Sequence, residues 1–116
     1  MKRLRDLEDR ISRATGLDPE LDCAIHDALD PAAADGAVPP YTASVDACLL
    51  LIGKALPEWH WHVGHGPNGI LPYALLTGDA PNPGSQVEVM ASTVPLALLG
   101  ALVKAVQLDR SATDKG

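Results

Sequence analysis

Leu4, Leu7, Ile11 and Ala14 recur at three, four and three residues with charges between them, which predicts an amphipathic helix stopped at Gly16. Asp18-Pro19-Glu20 restarts the chain as a second helix, with an N-cap carboxylate, proline at the first helical position and acid in the first turn. Its apolar stripe is Leu21, Ile25, Ala28 and Leu29, and Asp30-Pro31 ends it, because proline disfavours helical geometry in the residue before it. Residues 31–40, Pro-Ala-Ala-Ala-Asp-Gly-Ala-Val-Pro-Pro, read as a flexible loop between a helical N-terminal segment, 1–30, and a core, 41–109. Thr42 or Ser44 caps a third helix, in which Val45, Leu49, Ile52 and Leu56 form the stripe and Leu50 and Leu51 broaden it, before Pro57 closes it.

After Pro57 the period changes to two. Glu58-Trp59-His60-Trp61-His62-Val63 alternates as a half-buried antiparallel strand does, so Trp59, Trp61 and Val63 face the core. Glu58, His60 and His62 then face solvent or a layer formed by the N-terminal helices. Gly64-His65-Gly66-Pro67-Asn68-Gly69 is turn chemistry, Ile70 to Leu76 a second strand in which Pro72 suggests an edge or a bulge, and Thr77 to Gly84 another turn. Gln86 to Met90 alternates as a short third strand. Ser92 or Thr93 caps a last helix to about Gln107, with Leu96, Leu99, Val103 and Val106 on one face and Gly100 where the helix approaches the sheet; 110–116 reads as a frayed tail. The order α-α-α-β-β-β-α predicts one α+β domain, a three-stranded antiparallel sheet packed with helices as an ABA-type sandwich.

Charge and composition narrow the function classes. The 116 residues carry 15 acids against 9 Lys and Arg, a formal charge of −6. Duplex affinity rests on cations that neutralise phosphates, so direct nucleic-acid binding is not expected. A double-stranded RNA-binding domain shares the α-β-β-β-α order, but its last helix needs basic residues where this one begins Ser92-Thr93-Val94-Pro95-Leu96. The longest apolar run, Val94–Val103, is broken by Pro95 and Gly100 and falls short of a membrane span. The start, Met1-Lys2-Arg3-Leu4-Arg5-Asp6, leads into a charged helix pattern rather than a signal peptide, so the expected compartment is the cytoplasm of a host cell. There Cys23 and Cys48 are expected as buried free thiols, with Asp22, Asp27 and Asp46 nearby to raise a thiol pKa.

Catalytic and cofactor signals are thin. No G-x-S-x-G occurs, neither cysteine has a supporting histidine, and the 64–69 glycine cluster lacks the lysine and helix of a phosphate loop. No enzyme and no cofactor is expected. One constellation suits a metal: Glu58, His60 and His62 share a strand face and His65 follows, a carboxylate-imidazole set that zinc or copper accepts. Asp18, Glu20, Asp22, Asp27 and Asp30 crowd the second helix, an acidic surface suited to a protein partner.

Three blocks resemble a known group: Tyr41-Thr42-Ala43-Ser44-Val45-Asp46-Ala47, Pro57-Glu58-Trp59-His60-Trp61 and Ala91-Ser92-Thr93-Val94-Pro95-Leu96-Ala97-Leu98. With the opening Leu-Glu-Asp-Arg-Ile and Leu-Asp-x-Ala-Ile patterns they are similar to the phage ABA-sandwich domains, small proteins of bacteriophages and prophages. The resemblance implies a phage accessory protein acting by contact with a host or phage protein, and transfers no catalytic residue. Two alternatives stand beside it. One is an inhibitor of a host defence nuclease, of anti-CRISPR or DNA-mimic type, acting through the acidic surface. The other is a metal-binding module built on Glu58, His60, His62 and His65. A homodimer is compatible with either.

Overall fold

The computed structural model describes residues 2–29, 38–65, 72–78 and 84–115, with side chains for 4–29, 38–64, 72–78 and 84–108. Helices α1 (Lys2–Arg13), α2 (Pro19–Leu29) and α3 (Val45–Ala55) precede strands β1 (His60–His65), β2 (Pro72–Gly78) and β3 (Ser85–Met90), and α4 (Val94–Lys115) follows. The fold is α+β in the expected order. Caps fall where the sequence puts them: Asp18 Oδ1 accepts the Leu21 N–H at 3.1 Å, Ser44 Oγ that of Ala47 at 3.1 Å, and Thr93 Oγ1 that of Leu96 at 3.3 Å. Of the two candidates for capping α3, Ser44 does it. Thr42 is buried elsewhere: its Oγ1 accepts the Asp18 N–H at 2.8 Å, and its own N–H donates to Asp22 Oδ1 at 2.7 Å. The turn at 41–43 is thereby fastened to α2.

The sheet is an antiparallel meander with β2 in the centre. Pro72 therefore lies neither on an edge strand nor at a bulge. It is the first residue of β2, where its missing N–H costs the ladder little, and its carbonyl accepts from Ala91. Pairing is continuous, Trp61 opposite Leu76 opposite Val87 and Val63 opposite Ala74 opposite Val89, so these residues share the face turned to α4. α4 packs on β2 and β3 on that face, while α1 and α3 pack on α4 rather than on the sheet. Surrounded in this way, Leu96 to Val103 are all buried, broader still than a Leu96–Leu99–Val103 face with Leu98 and Leu102 beside it. Gly100 is the point of closest approach: a Cβ there would stand 2.9 Å from Val89 Cγ1. The backbone of α4 stays helical to Lys115, where a frayed tail from 110 was expected, because no Pro or Gly interrupts the chain before Gly116.

The two tryptophans part company. Trp59, just before β1, is 8% exposed and lies against Gly78, where any Cβ would collide with the indole. Trp61 points to the same side as the core yet is 47% exposed. The reason is positional: β1 is an edge strand and α4 runs under β2 and β3. Among the described residues no helix is long and apolar enough to cross a membrane.

Candidate functional site

With one face of the sheet on α4, the other carries every second residue of each strand. Register lines them up in three cross-strand rows: His60, Thr77 and Gln86; His62, Leu75 and Glu88; Gly64, Tyr73 and Met90. His60, His62, Gln86 and Glu88 are exposed and Tyr73, Leu75 and Thr77 half-buried, with no described helix packed over them. Met90 is 53% exposed. The Tyr73 ring leans across to β1, so that a Cβ on Gly64 would lie 3.1 Å from Tyr73 Cε1. The result is an apolar centre, Tyr73, Leu75 and Met90, framed by polar side chains.

The face continues over the β3 edge. Between β3 and α1 run two adjoining hollows of about 460 and 280 Å3 that share Glu8, Glu88 and Lys104. Ile11, Leu96 and Gly100 floor the second. Glu8 is already engaged: its Oε1 accepts from Gln107 Nε2 at 2.8 Å and its Oε2 lies 3.7 Å from Lys104 Nζ. Glu88 has no such partner among the described residues.

Two of the five acids assigned to an interaction surface on α2 are turned inward. Asp22 is buried, its carboxylate held by the Thr42 N–H, and Asp18 is half-buried as the α2 cap. Helical geometry explains it: Asp18 and Asp22, four apart, lie on one face with Leu21 and Ile25 beside them, and that face packs inward. Glu20 and Asp27 stay exposed, Asp27 beside Asp6 and Arg10 at a hollow of about 260 Å3, and Asp30 falls outside the described residues.

Of the metal candidates, His60 and His62 are exposed on one face, and Glu58 lies in the turn before β1. His65 pairs with Pro72, a member of the opposite backbone set from His60 and His62, and its side chain is not among those described. Among the described residues no three His, Cys, Asp or Glu side chains are grouped to hold a metal ion.

The cysteines divide. Cys48 is buried, its Sγ 3.1 Å from the Tyr41 carbonyl and 3.7 Å from that of Pro95, but Cys23 is exposed, against expectation, on the side of α2 away from Leu21 and Ile25. Burial first, and the Asp22 carboxylate second, push the Cys48 thiol up to about 12. It is inert as a nucleophile at neutral pH. Nearby, His26 Nδ1 lies 3.0 Å from the Tyr41 hydroxyl with the rings stacked, another tie between α2 and the 41–43 turn.

Sequence reasoning placed His60 and His62 on their face by alternation, but it missed Glu8, Ser12 and Lys104 as neighbours of β3. Nothing local signals that α1 lies beside α4, since the pair is about a hundred residues apart in the chain. No family model, no curated protein and no solved structure matches the chain.

Proposed function

We propose that the chain is a non-enzymatic, protein-binding accessory factor of phage or prophage type, with a host or phage protein as its partner. One observation carries it: the outer sheet face, where Tyr73, Leu75 and Met90 lie under no described helix, within a frame of His60, His62, Gln86 and Glu88. An apolar centre with a polar rim on a rigid sheet is the make-up of a protein-contact surface. The resemblance to phage ABA-sandwich domains supports the phage setting. Inhibition of a nuclease by an acidic, phosphate-like α2 is the weaker form, because Asp18 and Asp22 are committed to internal hydrogen bonds.

The test is comparative capture from host and phage-infected lysate, using the native chain, a Tyr73→Thr/Leu75→Thr variant and a Leu50→Gln control. Leu50 is 70% exposed but lies on α3. A protein held by the native chain and the control and lost from the double variant, with unchanged far-UV circular dichroism, is the expected result. Identical captures by all three would remove the proposal.

A further inference from the structure

β3 is an edge strand, so alternate residues turn N–H and C=O groups away from β2. Edges are commonly guarded by charged side chains, lysine above all, by proline or by a bulge, and the one charge on β3 is Glu88. β3, Ser-Gln-Val-Glu-Val-Met, has no lysine or proline, and its six pairs with β2 run without a bulge. β1 is equally unguarded, but α4 reaches it least. Under the β3 edge lies a floor.

The floor follows from the layer spacing. Packed helices sit roughly 8–10 Å apart, about two strand spacings. α4 lies below β2 and β3, and α1 lies beside α4 on the β3 side, with Ile11 close to Gly100 and Val89. α1 therefore projects beyond the sheet, beneath the line along which a further strand would run. The hollow of about 280 Å3 between α1 and β3 is the open space above that shelf, with Val89 and Ala91 on its inner side, the buried Ile11 and Leu96 beneath, and Ser12 and Glu8 as its outer wall.

Resting on the protein-binding proposal above, we infer that this shelf takes an extended segment of a partner protein, alternately apolar and basic, which pairs with β3 as a fourth strand. Period two assigns the chemistry. Residues of the added strand that point inward meet the half-buried Val89 and Ala91, small and apolar, which suits valine or alanine. Residues that point outward lie beside Gln86, Glu88 and Met90, and the carboxylate of Glu88 is free to face a cation across the strands. Lys104 does not cancel that preference, since it lies against Glu8.

The probe is a labelled peptide of alternating Val and Lys, about six residues long to match β3, followed by fluorescence anisotropy on the full chain. Controls are the alternating Val and Glu peptide and a block peptide with the same valines and lysines separated. The alternating Val and Lys peptide is expected to bind saturably and above both controls. Glu88→Lys, which places like charges across the strands, is expected to weaken it roughly tenfold, and Ser12→Trp, which fills the shelf from the exposed side of α1, to abolish it. Circular dichroism melts verify that both variants fold. Equal binding of the block peptide, or indifference to both substitutions, would overturn the inference. So would sedimentation showing that β3 pairs with a second copy, as a dimer dispersed by Glu88→Lys without peptide. If the peptide fails while a captured protein still depends on Tyr73 and Leu75 but not on Ser12, the shelf is wrong and the protein-binding proposal survives; if neither holds, both fall.

Discussion

Trp59 and Trp61 point to the same side of the sheet, two residues apart, yet they do different work. The Trp59 indole lies against the backbone of Gly78, whereas Trp61 hangs at the β1 edge with nearly half its surface in water. Truncation to alanine is expected to cost about 3–5 kcal/mol at Trp59 and under about 1.5 kcal/mol at Trp61, measured by urea melts of the two variants. Equal losses would mean that α4 or another element covers β1 as well. The direction of both side chains was legible from alternation; the difference between them was not, because it depends on which strand is the edge. The thiols give a second residue-scale prediction. Cys23 should react with Ellman's reagent in the native chain and Cys48 only after unfolding. Because folding raises the Cys48 pKa from 9.0 to about 12, the neutral thiol is the form the fold favours. Its contribution to stability is complete below pH 9 and declines as pH rises from 9 towards 12. Urea midpoints of the native chain should fall more steeply across that range than those of Cys48→Ala; parallel curves would contradict the assignment.

At the scale of elements, α4 decides the architecture. A helix buried on every side from Leu96 to Val103 must have packing on more than one flank, and it finds the sheet on one and α1 and α3 on the others. Its sequence already hinted at this, since Leu98 and Leu102 sit beside the Leu96–Leu99–Val103 stripe. The sequence alone sets α3, through Leu49 and Ile52, against the tryptophan face beside α4, whereas the structure packs it on α4 itself. The partners of α4 are far away in the chain, and no local pattern assigns its flanks. Gly100 tests the arrangement. Alanine is the better helix former by roughly 1 kcal/mol, but its methyl group would sit 2.9 Å from Val89 Cγ1. Gly100→Ala is therefore expected to lower stability by about 1–2 kcal/mol, and to raise it when made in a Val89→Ala background. A stabilising effect in the native background would show that helix and sheet stand further apart than described. The same reasoning explains α2. Its acids read as a solvated row in sequence, and the structure turns Asp18 and Asp22 inward because they share a face with Leu21 and Ile25 and the Thr42 N–H needs an acceptor.

Across the whole molecule, helices and sheet divide the labour. α1, α3 and α4 supply the bulk of the core, and the sheet, held against α4 by one face, presents the other together with the β3 edge above α1. The fold class was legible in the sequence because each element carries its own period and cap. The candidate surface was legible only in part: alternation assigned His60 and His62 outward, but the shelf joins residues of α1, β3 and α4 through tertiary contacts that no local pattern encodes. The most direct measurement of the central claim is amide hydrogen exchange on the full chain, with and without the alternating Val and Lys peptide. Protection is expected to rise in Ser85–Met90 and to stay unchanged in His60–His65, since a segment paired with β3 would hydrogen-bond the outward amides of that edge alone. Added protection confined to β1 or to α2, or none at all, would contradict the account.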